Sequence, residues 1–245
     1  MEGGWVNLSL TLLNDKKSYA WQSSNNPSFA FLHGWGRDCS DFDYFYNKLD
    51  GIFIDLPGFG KSPEPTRAWS PNDYSKWLDE VLPESVDTLV AHSFGGRVAV
   101  HYLNNFNNIE RSIMVGVPLL KHSSSQKGEK LGLKFLKTAN KINILPDSYV
   151  EKYKSNHGSF DYRSSEGVMR DILVSAVNDD MSTILKKLDS QIYLIWGERD
   201  KEVPLRVAQE ALGMLNDSRL FVLKDVGHNP FINKSDEVME IIKDL

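Results

Sequence analysis

The chain of 245 residues is poor in cysteine, in basic charge and in long apolar runs. Cys39 is its one cysteine, so the chain can form no internal disulfide and no cysteine-built metal site. The formal net charge of −5 argues against a general nucleic-acid binder, which would usually carry a basic surface. No stretch approaches the roughly eighteen consecutive apolar residues that a membrane span requires.

A secretory signal is also missing, because the first residues, M-E-G-G-W-V-N-L, contain no basic segment followed by an apolar run. We therefore expect a cytoplasmic protein with neither a membrane nor a nucleic acid as partner. Hydrophobic residues make up 41% of the chain and charged residues 25%. This composition suits one soluble globular domain with a sizeable core.

Short apolar runs alternate with longer amphipathic ones, which is typical of a mostly parallel sheet covered by helices. The predicted strands are Val6–Leu13, Tyr19–Gln22, Phe29–Leu32, Gly51–Ile54, Thr88–Ala91, Ser112–Val117, Gln191–Trp196 and Arg219–Leu223. Helical spacing of apolar residues predicts helices at Tyr74–Leu82, Gly96–Asn104, Leu205–Leu215 and Glu237–Ile242. The turn-rich N-D-K-K between the first two strands predicts an antiparallel hairpin at one edge of the sheet.

Residues 119–187 break this alternation, because they are mostly helical in pattern and contain no convincing strand. We interpret them as a helical lid inserted into a core domain made of residues 1–118 and 188–245, since such insertions commonly shape a ligand site. Within the lid, Leu119–Asn143 holds six lysines against one acid, Glu129. We expect a solvated helix face there, with the docking of an acyl-carrier protein as the alternative.

The most informative stretch is V-A-H-S-F-G-G-R-V-A at residues 90–99. It has the strand–Ser–helix pattern of a nucleophile elbow, a sharp turn that exposes the serine hydroxyl and demands small neighbours. Ala91, Gly95 and Gly96 meet that demand, although Ala91 replaces the usual glycine. Taken alone, the pattern is equally compatible with an ordinary glycine-rich turn around Ser93.

The other members of a catalytic triad are predicted in the order acid, then histidine. Asp200 follows the apolar run Q-I-Y-L-I-W, and His228 follows R-L-F-V-L. Each residue therefore comes after a buried strand, at the sheet edge where Ser93 is expected. We predict Ser93 as nucleophile, His228 as general base and Asp200 as the acid that orients it.

Three other titratable residues lie near these motifs. Asp225 precedes His228 by three residues and rivals Asp200, but we interpret it as a loop residue. His33 is expected to support its loop by hydrogen bonding, and His92 to pack behind the elbow.

The H-G-W-G stretch at residues 33–36 follows a predicted strand, and its glycines allow a turn that aims a backbone amide. We predict an oxyanion hole from the backbone N–H groups of Trp35 and Phe94, with a simple turn as the alternative. Trp35, Phe94 and Phe231 are candidate walls of a substrate pocket, although each is also compatible with a core position. Arg97 is a candidate ligand for a substrate carboxylate, and the favoured alternative is an arginine on the helix surface.

Together, H-G-W-G, D-L-P-G-F-G-K-S at 55–62, A-H-S-F-G-G, W-G-E-R-D and G-H-N-P-F resemble the α/β-hydrolase superfamily over nearly the entire chain. Within it, H-G-W-G, D-L-P-G-F-G-K-S and H-N-P-F-I resemble the pimeloyl-acyl-carrier-protein methyl ester esterases most. The resemblance implies an eight-stranded, mostly parallel sheet with helices on both faces and a lid. It also implies the roles of Ser93, Asp200 and His228 given above.

These observations favour a serine carboxylesterase that acts on small or medium acyl esters through an acyl-enzyme, a mechanism that needs no metal or organic cofactor. Two alternatives use the same triad: a carbon–carbon bond hydrolase and a lyase like the menaquinone-pathway synthase. A non-catalytic receptor with a hydrolase-like fold is the alternative from another class.

Overall fold

The computed structural model describes residues 8–106, 108–121 and 160–245. Within these ranges one sheet has the strand order β1-β2-β4-β3-β5-β6-β7-β8. Its strands are β1 (Ser9–Leu12), β2 (Tyr19–Gln22), β3 (Phe29–Leu32), β4 (Gly51–Ile54), β5 (Thr88–His92), β6 (Arg111–Val115), β7 (Gln191–Gly197) and β8 (Ser218–Leu223). The helices are α1 (Pro71–Val81), α2 (Ser93–Asn105), α3 (Phe160–Ser164), α4 (Gly167–Asn178), α5 (Ser182–Leu185), α6 (Arg206–Leu212), α7 (Pro230–Asn233) and α8 (Ser235–Lys243).

The expected sheet is confirmed. The six strands β3 to β8 pair in parallel with one another. The pairs β1–β2 and β2–β4 are antiparallel. The first two strands therefore form the predicted hairpin at the sheet edge. All the parallel strands end on the same side, so the loops that follow β3, β5, β7 and β8 gather there.

Two hydrophobic cores cover the two faces of the sheet, because successive side chains of a strand point to opposite sides. In β3, Leu32 belongs to the core beneath α1, α2 and α4, whereas Phe31 belongs to the core on the other face. That second core includes α8 and residues of the 3-10 helix Cys39–Phe45. The structure thus confirms helices on both faces.

Helix α1 begins three residues before the predicted start, because a capping box sets its first turn. The Ser70 hydroxyl accepts a hydrogen bond from the Asp73 N–H, and the Asp73 carboxylate accepts one from the Ser70 N–H. Pro71 follows as the first helical residue, where its missing N–H has no cost.

The described part of the predicted lid, residues 160–187, contains α3, α4 and α5. Met169, Ile172 and Ala176 of helix α4 are buried in the first core. Most of the lysine-rich segment Leu119–Asn143 lies outside the described residues. In the described ranges, no helix is both long enough and apolar enough to cross a membrane.

Candidate active site

The turn at Ser93 is sharp because strand β5 runs into helix α2 without an intervening loop. The strand ends at His92, the helix begins at Ser93, and Ser93 has a positive φ of 47°. A side chain on Gly95 would bring its Cβ to within 2.5 Å of the Leu32 carbonyl oxygen and 2.7 Å of that of His33. Glycine is therefore required there for the helix to pack against β3, and the Gly95 N–H donates to the His33 carbonyl at 3.0 Å.

Asp200 and His228 meet in the loops after the neighbouring strands β7 and β8. His228 Nδ1 donates to Asp200 Oδ2 at 2.8 Å. The other carboxylate oxygen of Asp200 accepts the backbone N–H groups of Glu202 at 2.9 Å and Val203 at 2.8 Å. Asp200 is buried, so these bonds fix both its position and the orientation of the imidazole.

His228 also lies in an acidic setting. Glu202 Oε2 is 3.6 Å from His228 Nε2, and Glu202 is largely exposed. Burial alone would lower the pKa of His228, but the hydrogen bond to Asp200 and the charges of Asp200, Glu202 and Asp161 raise it above the ordinary value. Protonation of this imidazole is therefore favoured, as a group that takes a proton during a reaction requires.

Ser93 and His228 line the same cavity, which has a volume of about 440 Å³. Trp35 and Phe94 also line it, and their rings meet edge to face with centroids 5.1 Å apart. In the described part of the chain, no hydrogen bond joins the Ser93 hydroxyl to His228. Such a bond commonly tightens only when substrate binds.

The two histidines near the motifs have the supporting places expected of them. His33 Nδ1 donates to the Gly34 carbonyl at 2.7 Å, and Nε2 accepts the Leu56 N–H at 3.0 Å. His92 Nε2 donates to the carbonyl of His228 at 2.8 Å, beneath the elbow. Burial and the nearby charge of His228 lower the pKa of His92 to about 4, so this ring is neutral at physiological pH.

Asp225 is confirmed as a loop residue, because it is largely exposed and forms an ion pair with Arg199. Phe231 does not line the cavity. It is 1% exposed and packs against Phe42 and Phe45 in the core on the opposite face of the sheet, so it is corrected from a pocket wall to a core residue.

The expectation of a surface position for Arg97 is wrong. Its side chain is buried between α2 and the end of α4, where Nη1 donates to the backbone carbonyl of Asp179 at 3.2 Å. Arg97 lines the cavity together with Ser93. Burial lowers the pKa of Arg97 to about 10, which still leaves it cationic at neutral pH.

One group of side chains has the spacing of a metal site, since ligand atoms of Asp38, Cys39 and Asp55 lie within 4.8 Å of one another. However, Asp55 already accepts the backbone N–H groups of Cys39 and Lys61, each at 2.9 Å. Burial raises the pKa of the Cys39 thiol, so the thiolate that binds metals is disfavoured. The Asp55 carboxylate is thus explained as the anchor of two loops.

Several cavity residues escaped prediction because no sequence motif marks them. Asp161 comes from α3 and has its pKa raised by burial, and Lys121 follows the loop after β6. Apolar wall residues come from α4, from the loop before α6 and from the first turn of α6: Leu173, Ala176, Val177, Val203, Pro204 and Val207. Gly116 directly follows β6 and has a φ of 57°. It lies so close to His228 that an added Cβ would be 3.1 Å from the imidazole. A glycine inside the apolar run Ser112–Val117 was the available signal for Gly116.

Known proteins resemble this chain in sequence and in fold. A pimeloyl-[acyl-carrier protein] methyl ester esterase of Vibrio campbellii is 24% identical over 240 residues, covering 87% of this chain and 92% of the relative. Lipase 1 of Psychrobacter immobilis is 22% identical over 261 residues, covering 96% and 82%. The solved structure of an esterase from Exiguobacterium antarcticum matches with a TM-score of 0.70 and 19% identity, covering 96% of this chain and 98% of that one.

The sequence profile of the alpha/beta hydrolase family matches residues 29–241, which run from the start of β3 into α8. This span includes the elbow at Ser93 and the loops that carry Asp200 and His228. The chain therefore belongs to the alpha/beta hydrolase family and is an enzyme of the hydrolase class.

Proposed function

We propose that this chain is a serine carboxylesterase that hydrolyses small to medium acyl esters through Ser93, His228 and Asp200. The observation that carries the proposal is the 2.8 Å hydrogen bond from His228 Nδ1 to Asp200, at the sheet edge where the elbow holds Ser93. This bond occupies Nδ1 and leaves Nε2 as the ring nitrogen that accepts the Ser93 proton.

In the proposed reaction, the Ser93 hydroxyl attacks the acyl carbon while its proton moves to His228 Nε2. The imidazolium then gives that proton to the departing alcohol as the carbon–oxygen bond breaks, which leaves an acyl group on Ser93. A water molecule, deprotonated by the same nitrogen, releases the acid and restores the serine. Asp200 stabilises the imidazolium in both halves, and no metal or organic cofactor enters these steps.

The backbone N–H groups of Phe94 and Trp35 are the proposed oxyanion hole. Phe94 is the second residue of α2, where a helix N–H has no acceptor within the helix. Trp35 lies in the turn of H-G-W-G, beside Gly36 with its φ of 66°. Both residues line the cavity next to Ser93, which supports their assignment to the charge that develops on the acyl oxygen.

The cavity supports a small or medium substrate, because about 440 Å³ falls within the usual range of roughly 300 to 1,000 Å³ for small-molecule sites. Trp35 and Phe94 form an aromatic wall, and α4 adds an apolar wall. We assign residues 119–187 to the cap of this site, with 1–118 and 188–245 as the core domain.

Hydrolysis of a short-chain nitrophenyl ester tests the proposal. We expect Ser93→Ala to reduce kcat by at least about 10³-fold, because the nucleophile is lost while the fold is kept. An unchanged circular dichroism spectrum and melting temperature serve as the control for folding. Retained turnover in the folded variant, or no turnover by the wild-type protein on any ester of a chain-length series, contradicts the proposal; the second result favours the non-catalytic receptor.

The names of several relatives make a methyl ester on an acyl-carrier protein a candidate substrate. Methyl-ester cleavage with and without the carrier tests this case. Faster cleavage of the carrier-bound ester supports it, and equal rates with the free ester oppose it. The lysine-rich segment that could contact a carrier lies mostly outside the described residues, and this partner, like the cytoplasmic location, stays a prediction.

A further inference from the structure

Two cations line the cavity that contains Ser93. Arg97 follows Ser93 by four residues on α2, and side chains spaced in this way lie on the same face of a helix. Lys121 reaches the cavity from the segment after β6. Among the described residues, no carboxylate forms an ion pair with Arg97, although its side chain is only 7% exposed.

Both cations are held by the end of helix α4. Arg97 Nη1 donates to the carbonyl of Asp179 at 3.2 Å, and Lys121 Nζ donates to that of Asn178 at 3.4 Å. The Asp179 carboxylate, in turn, accepts a hydrogen bond from His101 Nε2 at 2.8 Å, which ties the end of α4 to α2. Each cation therefore contacts the end of α4 and retains further N–H donors, since a guanidinium has five and an ammonium three.

A buried cation is unfavourable unless an anion or several acceptors compensate it. One backbone carbonyl satisfies one donor of Arg97, and the Asp179 carboxylate, which is bonded to His101, adds a nearby negative charge but accepts no hydrogen bond from the guanidinium. An anion that enters the cavity would supply a further negative charge and accept charge-assisted hydrogen bonds, which are stronger than bonds between neutral groups.

The charges around His228 indicate which part of an ester carries the anion. The alcohol leaves by taking a proton from His228, so it lies on that side. Glu202 and Asp161 face His228 there and would repel an anion. The anion is therefore expected on the acyl part of the ester. This part becomes bonded to Ser93, one helical turn from Arg97.

We propose that Arg97, assisted by Lys121, binds a carboxylate on the acyl part of the substrate, so that the enzyme prefers esters of dicarboxylic acids that retain one free carboxylate. This inference rests on the proposed ester hydrolysis at Ser93. It names a substrate class, whereas a purely structural role for Arg97, fastening α4 to the core, would give no preference for charge.

A matched pair of substrates tests the proposal: the mono-nitrophenyl ester of adipic acid, and a neutral nitrophenyl ester in which an isopropyl group replaces the carboxylate. We expect the wild-type protein to have the higher kcat/KM on the anionic ester. Arg97→Gln should lower the anionic-to-neutral ratio about 10- to 100-fold, mainly through KM, because a hydrogen bond to a charged group is typically worth about 1.5–3 kcal/mol. Arg97→Lys should restore part of the ratio, and Lys121→Met should lower it less.

Arg170→Gln is the matched control. Arg170 also donates to a backbone carbonyl, that of Ser165 at 2.8 Å, but it does not line the cavity, so this variant should keep the wild-type ratio. A wild-type ratio of one or less overturns the proposal without any variant. Equal losses on both esters in Arg97→Gln also overturn it and support the structural role.

If the wild-type protein cleaves neither ester, the proposed esterase function fails, and calorimetric titration with adipate decides the anion site. Binding that Arg97→Gln abolishes supports the site. Absent binding, or equal binding by both proteins, overturns it. If Arg97→Gln does not fold, two measurements decide the proposal: the anionic-to-neutral ratio of the wild-type protein, and the decrease of that ratio in Lys121→Met.

Discussion

The two sides of the cavity are built in different ways. On the sheet side, close backbone contacts hold the reactive residues. Gly95 packs against the carbonyls of Leu32 and His33, and Gly197 packs against the carbonyls of the loop that precedes His228. On the lid side, formed by the proposed cap, side chains hold α4: Met169, Ile172 and Ala176 pack onto the first core, and Asp179 accepts hydrogen bonds from Arg97 and His101. The backbone contacts on the sheet side tolerate almost no substitution of the two glycines. The contacts on the lid side are made by side chains, so they can be changed one residue at a time. This contrast agrees with our proposals that the sheet edge fixes the chemistry and that the proposed lid determines the choice of substrate.

Asp200→Asn should have the largest effect on the sheet side. The amide nitrogen would face His228 Nδ1 and favour the wrong tautomer, so we expect kcat to fall about 10³- to 10⁴-fold with the fold retained. The matched control is Asp225→Asn, which removes the same charge from the exposed ion pair with Arg199 and should leave kcat within about twofold. A comparable loss in both variants would mean that Asp200 has no special role.

Gly95→Ala tests whether backbone packing holds the elbow. The new methyl group must displace α2 from the Leu32 and His33 carbonyls, so we expect a loss of about 1–3 kcal/mol in the free energy of unfolding. A displacement of Ser93 by about 1 Å should cost about 10²-fold in kcat/KM.

Gly213→Ala is the control for Gly95→Ala. Gly213 has an ordinary helical φ of −73°, and an added Cβ would meet its nearest neighbour at a normal 3.6 Å. This variant should match the wild type in urea unfolding and in ester hydrolysis. If Gly95→Ala does so as well, the turn is looser than the packing indicates.

Glu202→Gln should have the smallest effect, because Glu202 is largely exposed and its charge is screened. Its negative charge helps to raise the pKa of His228, so its removal should lower that pKa. The base must be neutral to act, and the acidic limb of the kcat/KM profile should therefore move to lower pH. Glu80→Gln, an equal charge change at an exposed position on α1, should leave the profile in place; a shift toward higher pH in Glu202→Gln would reverse our interpretation of this contact.

The contrast between the two sides also explains what could be predicted from the sequence. Ser93, Asp200 and His228 each follow an apolar strand, and parallel strands end at one edge, so their meeting followed from local patterns. Even Ala91, which departs from the usual glycine, fits as a fully buried residue of β5. The predicted strand boundaries were close to the observed ones because glycines and polar residues punctuate the apolar runs.

The lid side could not be predicted in the same way. The burial of Arg97 depends on the end of α4 reaching α2, a contact between residues 82 positions apart that leaves no local signal. Phe231 was misassigned for a similar reason: being close to His228 in sequence does not determine which face of the sheet a side chain joins. Glu202 and Asp161 reach His228 from separate segments, so only the folded arrangement shows that they share a site.

The central claim is that Ser93 is the nucleophile of this enzyme, and labelling with an organophosphonate ester tests it most directly. Mass spectrometry of the intact protein and of its peptides, combined with turnover measured on the same samples, gives the extent and the place of labelling. We expect one adduct per chain, located on Ser93, with hydrolysis lost in proportion to labelling and no adduct in Ser93→Ala. Turnover that persists in fully labelled protein, or an adduct that forms elsewhere while Ser93 stays unmodified, would contradict the account.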